Sequence, residues 1–329
     1  MHTIKKCTYL QLDDVVKIVK SIKEKCEVSK ISHAAEKYES VRKFLVRNKI
    51  EPAKANGLFM RIRKNASLNF PISVCFFMKH TQKQKITNVI LCEENSQIIM
   101  ESYCASQKNI NEKHKEKTFI ILKDGAKFSF VSLHAWKKTT SVKAKLFVKA
   151  CKNSEFRKVL VVLKPAKKEK LKTKVVAKEH AHIFLTSLAV LPEGKLKIRE
   201  TVNLSGKEST AEIITKGAVK EGFLSTYSKI LAEAPLTKAH VECNGIMLGD
   251  GIISTTPALI AMHKDVSLTH EASIGKVSQE EIEYLRTRGL NKDEAIRLIV
   301  SGFMSTEQLP VPKSIVAEIS KILSETSLF

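Results

Sequence analysis

From about residue 70 to 275 the chain is written in short β-branched and aromatic runs separated by polar turns. Examples are ISVCFFM (72–78), ITNVILCEENSQIIMESY (86–103), TFIILKDGAKFSFVSLHAW (118–136) and HIFLTSLAVLPEGKLKIRE (182–200). Apolar and polar positions alternate within the runs, the period-2 signature of strands that bury one face. Turn signals at Lys123-Asp124-Gly125, Glu193-Gly194, Lys216-Gly217 and Gly249-Asp250-Gly251 punctuate them. No helix-length amphipathic segments alternate with these strands, which argues against a doubly wound α/β sheet. Some two hundred residues of similar strand pairs is long for a sandwich and comfortable for a stacked coil. The expected fold is therefore mainly β, with a parallel β-helix as the core, although no strict sequence period is present.

The flanks read differently. In the first fifty residues Val15, Val16, Ile18, Val19 and Ile22 fall on one broad helical face, and Val41, Phe44 and Leu45 repeat the pattern. Pro52 and Gly57 then interrupt. After Lys276, Ser278 and Glu281 form a capping box, Ile282 and Leu285 supply an apolar face, and Gly289 is a natural terminator. Asn291 and Glu294 cap a second helix carrying Ala295, Leu298 and Ile299 to Gly302; Pro310 and Pro312 introduce a last one through Ile315, Ile319 and Leu323. The chain divides into an N-terminal helical region (1–66), a β-helix core (67–275) and a C-terminal helical region (276–329).

Charge complicates this picture. The net charge is +22, yet the segment from Lys264 to Phe329 holds 8 Lys/Arg and 10 Asp/Glu, so the basic character belongs to the front and middle. Lys greatly outnumbers Arg there, aromatics are only 6% of the chain, and runs such as KPAKKEKLKTK (164–174) read as solvated faces. That leaves a basic nucleic-acid-binding protein as the more remote alternative, with a weak electrostatic affinity for polyanions still open. The seven cysteines lie at 7, 26, 75, 92, 104, 151 and 243 with no CxxC pair, which fits reduced intracellular thiols better than a disulfide framework. No apolar run reaches the ~18 residues of a membrane span, so a cytoplasmic protein without a membrane partner is expected.

No familiar catalytic signature is present. SGKEST (205–210) lacks the spacing of a P-loop, and His270-Glu271 is not followed by the second His of a metalloprotease helix. Cys243, in LTKAHVECNGIMLGDG, alternates with Ala239 and Val241 in a strand that should turn at Gly245. Alone it reads as a small buried hydrophobe, and His270 as a satisfied core residue. Their relation raises both: Glu271 follows Cys243 by 28 residues, about one layer of a stacked coil, so that thiolate, imidazole and carboxylate could converge. That donor set suits iron or zinc. One chain nevertheless supplies too few thiolates for an all-cysteine cluster, which takes four, and a labile or shared cluster at a symmetric interface would fit the shortage.

LTHEASIGKVSQEEIEYLRTRGLNKDEAIRLIVSGF (268–303) and KAHVECNGIMLGDGIISTTP (238–257) resemble the C-terminal signature of the SufB/SufD family of iron–sulfur cluster assembly proteins. NVILCEENSQIIMESYCA (88–105) and FIILKDGAKFSFVSLHAW (119–136) extend the likeness. The resemblance implies a right-handed parallel β-helix flanked by helices, in a compact archaeal-type version. It implies a non-enzymatic scaffold that builds a transient iron–sulfur cluster at a dimer interface and passes it to apo iron–sulfur proteins. Its partners would be a SufC-like ABC ATPase, bound through the C-terminal helices, and a second copy or a SufB/SufD paralogue. Cys243 matches the cysteine thought to hold the nascent cluster, Glu271 the essential glutamate, and His270 a proposed interface ligand. Having Cys243 with Glu271 favours the scaffold branch over a SufD-like structural partner. An interior cysteine for sulfur entry has no clear counterpart; Cys92, Cys104 and Cys151 are candidates by texture alone.

Overall fold

The computed structural model describes residues 8–107, 111–164 and 166–304. Its strands alternate between two sheets, so that each turn of chain lays one strand on either side of a common interior. One sheet receives β5 (Ile72–Met78), β7 (Gln97–Ser106), β9 (Lys127–Ala135) and β11 (Glu155–Lys164). It continues with β13 (His182–Leu191), β15 (Thr210–Val219), β17 (Thr237–Met247) and β19 (Val266–Lys276). The other receives β4 (Leu58–Ile62), β6 (Lys83–Cys92), β8 (Lys113–Leu122), β10 (Ser141–Ala150) and β12 (Lys168–Ala177). β14 (Lys195–Leu204), β16 (Phe223–Ala232) and β18 (Ile252–Ala261) complete it. Neighbours within each sheet run parallel. This is a two-sheet parallel β-helix of about eight turns, as the alternating runs predict.

The repeat is visible in the register: Lys127 pairs with Glu155, Glu155 with His182, His182 with Thr210 and Thr210 with Lys238. Inward residues from both sheets fuse into one core, running from Tyr9 and Val28 at one end through Phe128, Phe156 and Ile183 to Val241 and Cys243 at the other. Phe128 stacks on Phe156 of the next turn, 6.4 Å between ring centres. Such like-on-like ladders follow from a parallel register, which sets equivalent residues about 4.8 Å apart.

The N-terminus departs from its helical reading. Val15–Val19 is a strand, β2, antiparallel to β1 (Tyr9–Leu12), and the pair extends the first sheet beside β5. Unpaired edge backbone at β5 offers ladder hydrogen bonds that outweigh the weak helical preference of a Val- and Ile-rich run. β3 (Cys26–Lys30) does the same beside β4. Helices α1 (Ile31–Lys37) and α2 (Glu39–Arg47) follow, and their apolar sides close over Phe59, Val89 and Phe119 on the outer surface of the second sheet.

At the other end, α3 (Gln279–Thr287) and α4 (Lys292–Phe303) start at the expected caps, with Ser278 accepting from the Glu281 amide and Asn291 from that of Glu294. Gly289 takes the left-handed backbone (φ 95°) that ends α3. α4 lies along the outside of the first sheet: Val300 and Met304 are buried against Val159, Val161, Leu188 and Ala218. The final helix foreseen through Leu323 falls outside the described residues. Lys216-Gly217, read as a turn, lies within β15. There a Cβ on residue 217 would sit 2.2 Å from a Leu224 methyl, so the glycine makes room inside the coil. Among the described residues no helix is long and apolar enough to cross a membrane.

Candidate functional site

β17 carries Cys243 on its inward side with Ala239 and Val241, while Lys238, His240, Glu242 and Asn244 point outward. The strand runs on to Met247 instead of turning at Gly245. Cys243 is 1% exposed and lies across the interior from the Ser228 and Thr226 hydroxyls of β16. Burial pushes its thiol above the ordinary range, the two hydroxyls oppose that shift, and Glu200 and Glu242 add to it. In this arrangement the sulfur is a neutral thiol at neutral pH; ligation requires exposure or an arriving cation to remove its proton.

The advance from β17 to β19 is 29 residues: Cys243 pairs with Ala272, Glu242 with Glu271 and Val241 with His270. Paired residues of parallel strands face the same side, and consecutive residues opposite sides. His270 is therefore on the inward side with Cys243, one turn on and two positions earlier, beside Leu268, which packs on the core. Glu271 stands on the outer side with Thr269, which pairs with the His240 ring at 2.9 Å. A spacing of 28 where the register advances by 29 turns the carboxylate to the far face. Within one chain the structure brings Cys243 and His270 towards a common side and leaves Glu271 behind the sheet. Among the described residues no three His, Cys, Asp or Glu side chains are grouped so as to hold a metal ion.

His270 and Glu271 are both exposed, because the described chain places no strand beyond β18 and β19. The last turn thus presents two strand edges and an open interior. Ile252, Ile260, Met262 and Ile274 are exposed around it.

Sequence reasoning missed a line of polar residues inside the coil. On one wall Ser102, Ser132, Ser187, Thr215 and Cys243 lie in register, and on the other Asn88, Thr118, Thr173, Glu200 and Ser228. Leu160 and Leu146 interrupt the two rows at neighbouring levels. Lys158 pairs with Glu200 close to Thr173, and His134 with Glu169 and Ser132. Buried oxygens of Glu169, Glu200 and Thr226 have no protein partner, the arrangement in which ordered water is ordinarily held. The signal was a polar residue at an inward position of each strand, legible only once the register is known. Of the cysteines considered for sulfur entry, Cys92 and Cys104 face this interior and Cys151 sits in a turn. Cys26, Cys92, Cys104, Cys151 and Cys243 are free thiols, whereas Cys75 is disulfide-bonded, against the expectation of reduced thiols throughout.

A two-sheet parallel β-helix carries a buried thiol one turn from the end of the described coil, and two capped helices follow, the second packed along its flank. Residues 76–303 match the family model for the SufBD core domain of the SUF iron–sulfur cluster assembly system. An iron–sulfur cluster assembly SufBD family protein of Archaeoglobus fulgidus is 33% identical over 93% of this chain and 86% of its own length. A SufBD family protein of Methanocaldococcus jannaschii is 28% identical over 74% of this chain and 79% of its own. The iron–sulfur cluster assembly protein SufB of Bacillus subtilis is 22% identical over 82% of this chain but only 59% of its own length. The chain belongs to the SufBD family of iron–sulfur cluster assembly proteins.

Proposed function

We propose that this chain is a scaffold subunit on which an iron–sulfur cluster, as cargo, is assembled at the shared end of two β-helices and then released to apo-proteins. The observation that carries the reading is the position of Cys243: an inward thiol, one turn below an uncovered end that exposes His270. Strand edges at β18 and β19 that are unpaired among the described residues, ringed by Ile260, Met262 and Ile274, favour closure by a second copy or a paralogue, since exposed edges template pairing with another chain. Two chains meeting there would bring two thiols and two imidazoles to one place, which mends the shortage of ligands in one. Glu271, on the outer side, would join only if the interface wraps that surface.

The thiolate supplies the firm bond to iron, and the imidazole a weaker one that suits release. Energy for opening so buried a site is assigned to a SufC-like ABC ATPase docked on α3 and α4, whose Tyr284 and Leu298 are exposed. A cytoplasmic site of action is part of the same proposal.

Anaerobic reconstitution of Cys243→Ser with ferrous iron and sulfide tests the scaffold role. The expected result is loss of the visible cluster absorption in a variant that keeps the wild-type oligomeric state; an unchanged spectrum would refute the assignment. A second reading, a SufD-like partner of another cluster-bearing chain, draws on Glu271 facing away from Cys243. It requires a SufB-like paralogue to co-purify, and a complex containing only this chain and the ATPase excludes it.

A further inference from the structure

The parallel register answers where the +22 charge resides. On the outward side of the second sheet Lys85, Lys115, Lys143, Lys170 and Lys197 form one straight row across five turns. Beside it Lys117, Lys145, Lys172 and Arg199 form another, and Lys83, Lys113, Lys168 and Lys195 stand in a third, broken by Ser141. Rows follow the coil axis at about 4.8 Å per strand, and adjacent rows are about 6.6 Å apart. The glutamates of these strands, Glu116, Glu169 and Glu200, face inward, where they take the buried histidines and Lys158 as partners. Among the described ion pairs none involves a residue of these rows, so the face carries a patch of one sign some 20 Å across. Partial burial, and then the charges of Lys174, Arg199 and Lys145, hold the Lys172 ammonium below the usual lysine range.

The patch is not flat. Lys143, Lys145, Lys170, Lys172, Lys197 and Arg199 border an open trough of about 350 Å³ that ends at Ser225 and Tyr227. Arg199 lies over the Tyr227 ring at 4.8 Å and Lys197 over Phe223 at 5.5 Å. A planar bilayer would meet the rims of such a trough and leave its floor in water. A folded acidic protein would have to present a ridge of uninterrupted carboxylates. A single-stranded polynucleotide has the right shape and charge, a thin chain with regularly spaced anions and flat bases able to stack at the aromatic end.

We propose that the lysine rows on the outer face of the second sheet form a binding surface for single-stranded nucleic acid, gripped through its phosphodiester backbone without sequence preference. Lysines with a single arginine, Arg199, laid over the Tyr227 ring, supply charge and not sequence discrimination. The surface lies on the opposite sheet from α4, so occupation leaves α4 free.

Fluorescence anisotropy with a labelled oligo(dT) of about 16 nucleotides, the upper end of the site sizes known for single-strand binding folds, tests the idea on the full chain. Binding should fall linearly in log K against log salt. Lys143→Gln/Lys145→Gln/Lys170→Gln/Lys172→Gln, all at outward positions, should flatten the slope by roughly 3, at about 0.7 per lost phosphate contact, and weaken binding on the order of 100-fold at about 0.1 M salt. Lys127→Gln/Lys238→Gln, on the other sheet, should bind as wild type. Flotation with phosphatidylserine vesicles is the competing arm. No oligonucleotide binding at about 50 mM salt, an unchanged slope in the fourfold variant, or vesicle capture without oligonucleotide binding would each overturn the proposal.

Discussion

The buried pair of Lys158 and Glu200 gives the sharpest test of how the interior is held together. Lys158 is 5% exposed and Glu200 fully buried; the ammonium bonds to one carboxylate oxygen and lies 3.4 Å from the Thr173 hydroxyl, and the Ser187 hydroxyl donates to the same carboxylate at 3.5 Å. Glu200→Ala removes the counter-charge and leaves an ammonium in the core with little but a threonine hydroxyl. Breaking one side of such a pair costs about 3–5 kcal/mol, whereas replacing both sides by apolar groups of similar volume is often neutral. Lys158→Met should therefore destabilise by a comparable amount, and Lys158→Met/Glu200→Leu should recover most of the loss. At about 2 °C per kcal/mol for a chain of this size, each single variant should melt roughly 6–10 °C below wild type. Because turns touch only their neighbours, hydrogen exchange should quicken in β11, β12, β14 and adjoining strands and little in β5 to β7. The assay is a double-mutant cycle by thermal melting, with exchange read on the same proteins. Additive losses in the double variant would refute the coupling.

Further outcomes follow from other parts of the molecule. Burial pushes the Cys26 thiol up to about 12 and the Cys92 and Cys104 thiols well above their ordinary value. These groups stay protonated in the fold after the unfolded chain begins to ionise. Their contribution is complete below about pH 8.5 and declines above it by up to about 1.4 kcal/mol per unit for each thiol; a flat melting profile from neutral pH to about pH 10 would contradict this. Iodoacetamide should alkylate Cys151 in the native protein before Cys26, Cys92, Cys104 or Cys243, as peptide mapping will report. Asn291→Ala should cost about 1 kcal/mol of α4 stability, seen as faster exchange in its first turn. Val300→Asp places a charge at a position 1% exposed and should free α4 to limited proteolysis, while the coil melts as before.

Much of this molecule was legible where the cause was local. Ser278 with Glu281 and Asn291 with Glu294 announce their helices because a cap needs only residues three apart. Alternation announced the strands, and Gly125 and Gly194 two of the turns, both with positive φ. What depends on register was not legible. Glu271 seemed one layer above Cys243, yet a single residue of offset between turns reverses the face a side chain takes. Val15–Val19 satisfied a helical pattern because four apolar residues in so short a run fit either period, and the edge of β5 decided for strand. Gly217 looked like a turn and serves instead to admit Leu224. KEKLKTK (168–174) showed its lysines on alternate positions, but only pairing with β10 and β14 stacks them into rows, which is why the charge read as scattered surface.

The central claim is that one chain holds half a site, completed at the open end of the coil. Sedimentation equilibrium with iron and sulfide analysis, on the wild type and on Ile260→Arg/Ile274→Arg, tests it most directly. Both isoleucines are exposed at the last turn, so the substitutions leave the folded chain intact and burden only an interface with charge. The wild type should be a dimer that takes up iron and sulfide anaerobically, and the variant a folded monomer that retains neither. A monomer that still assembles a cluster at the wild-type ratio per chain would contradict the account.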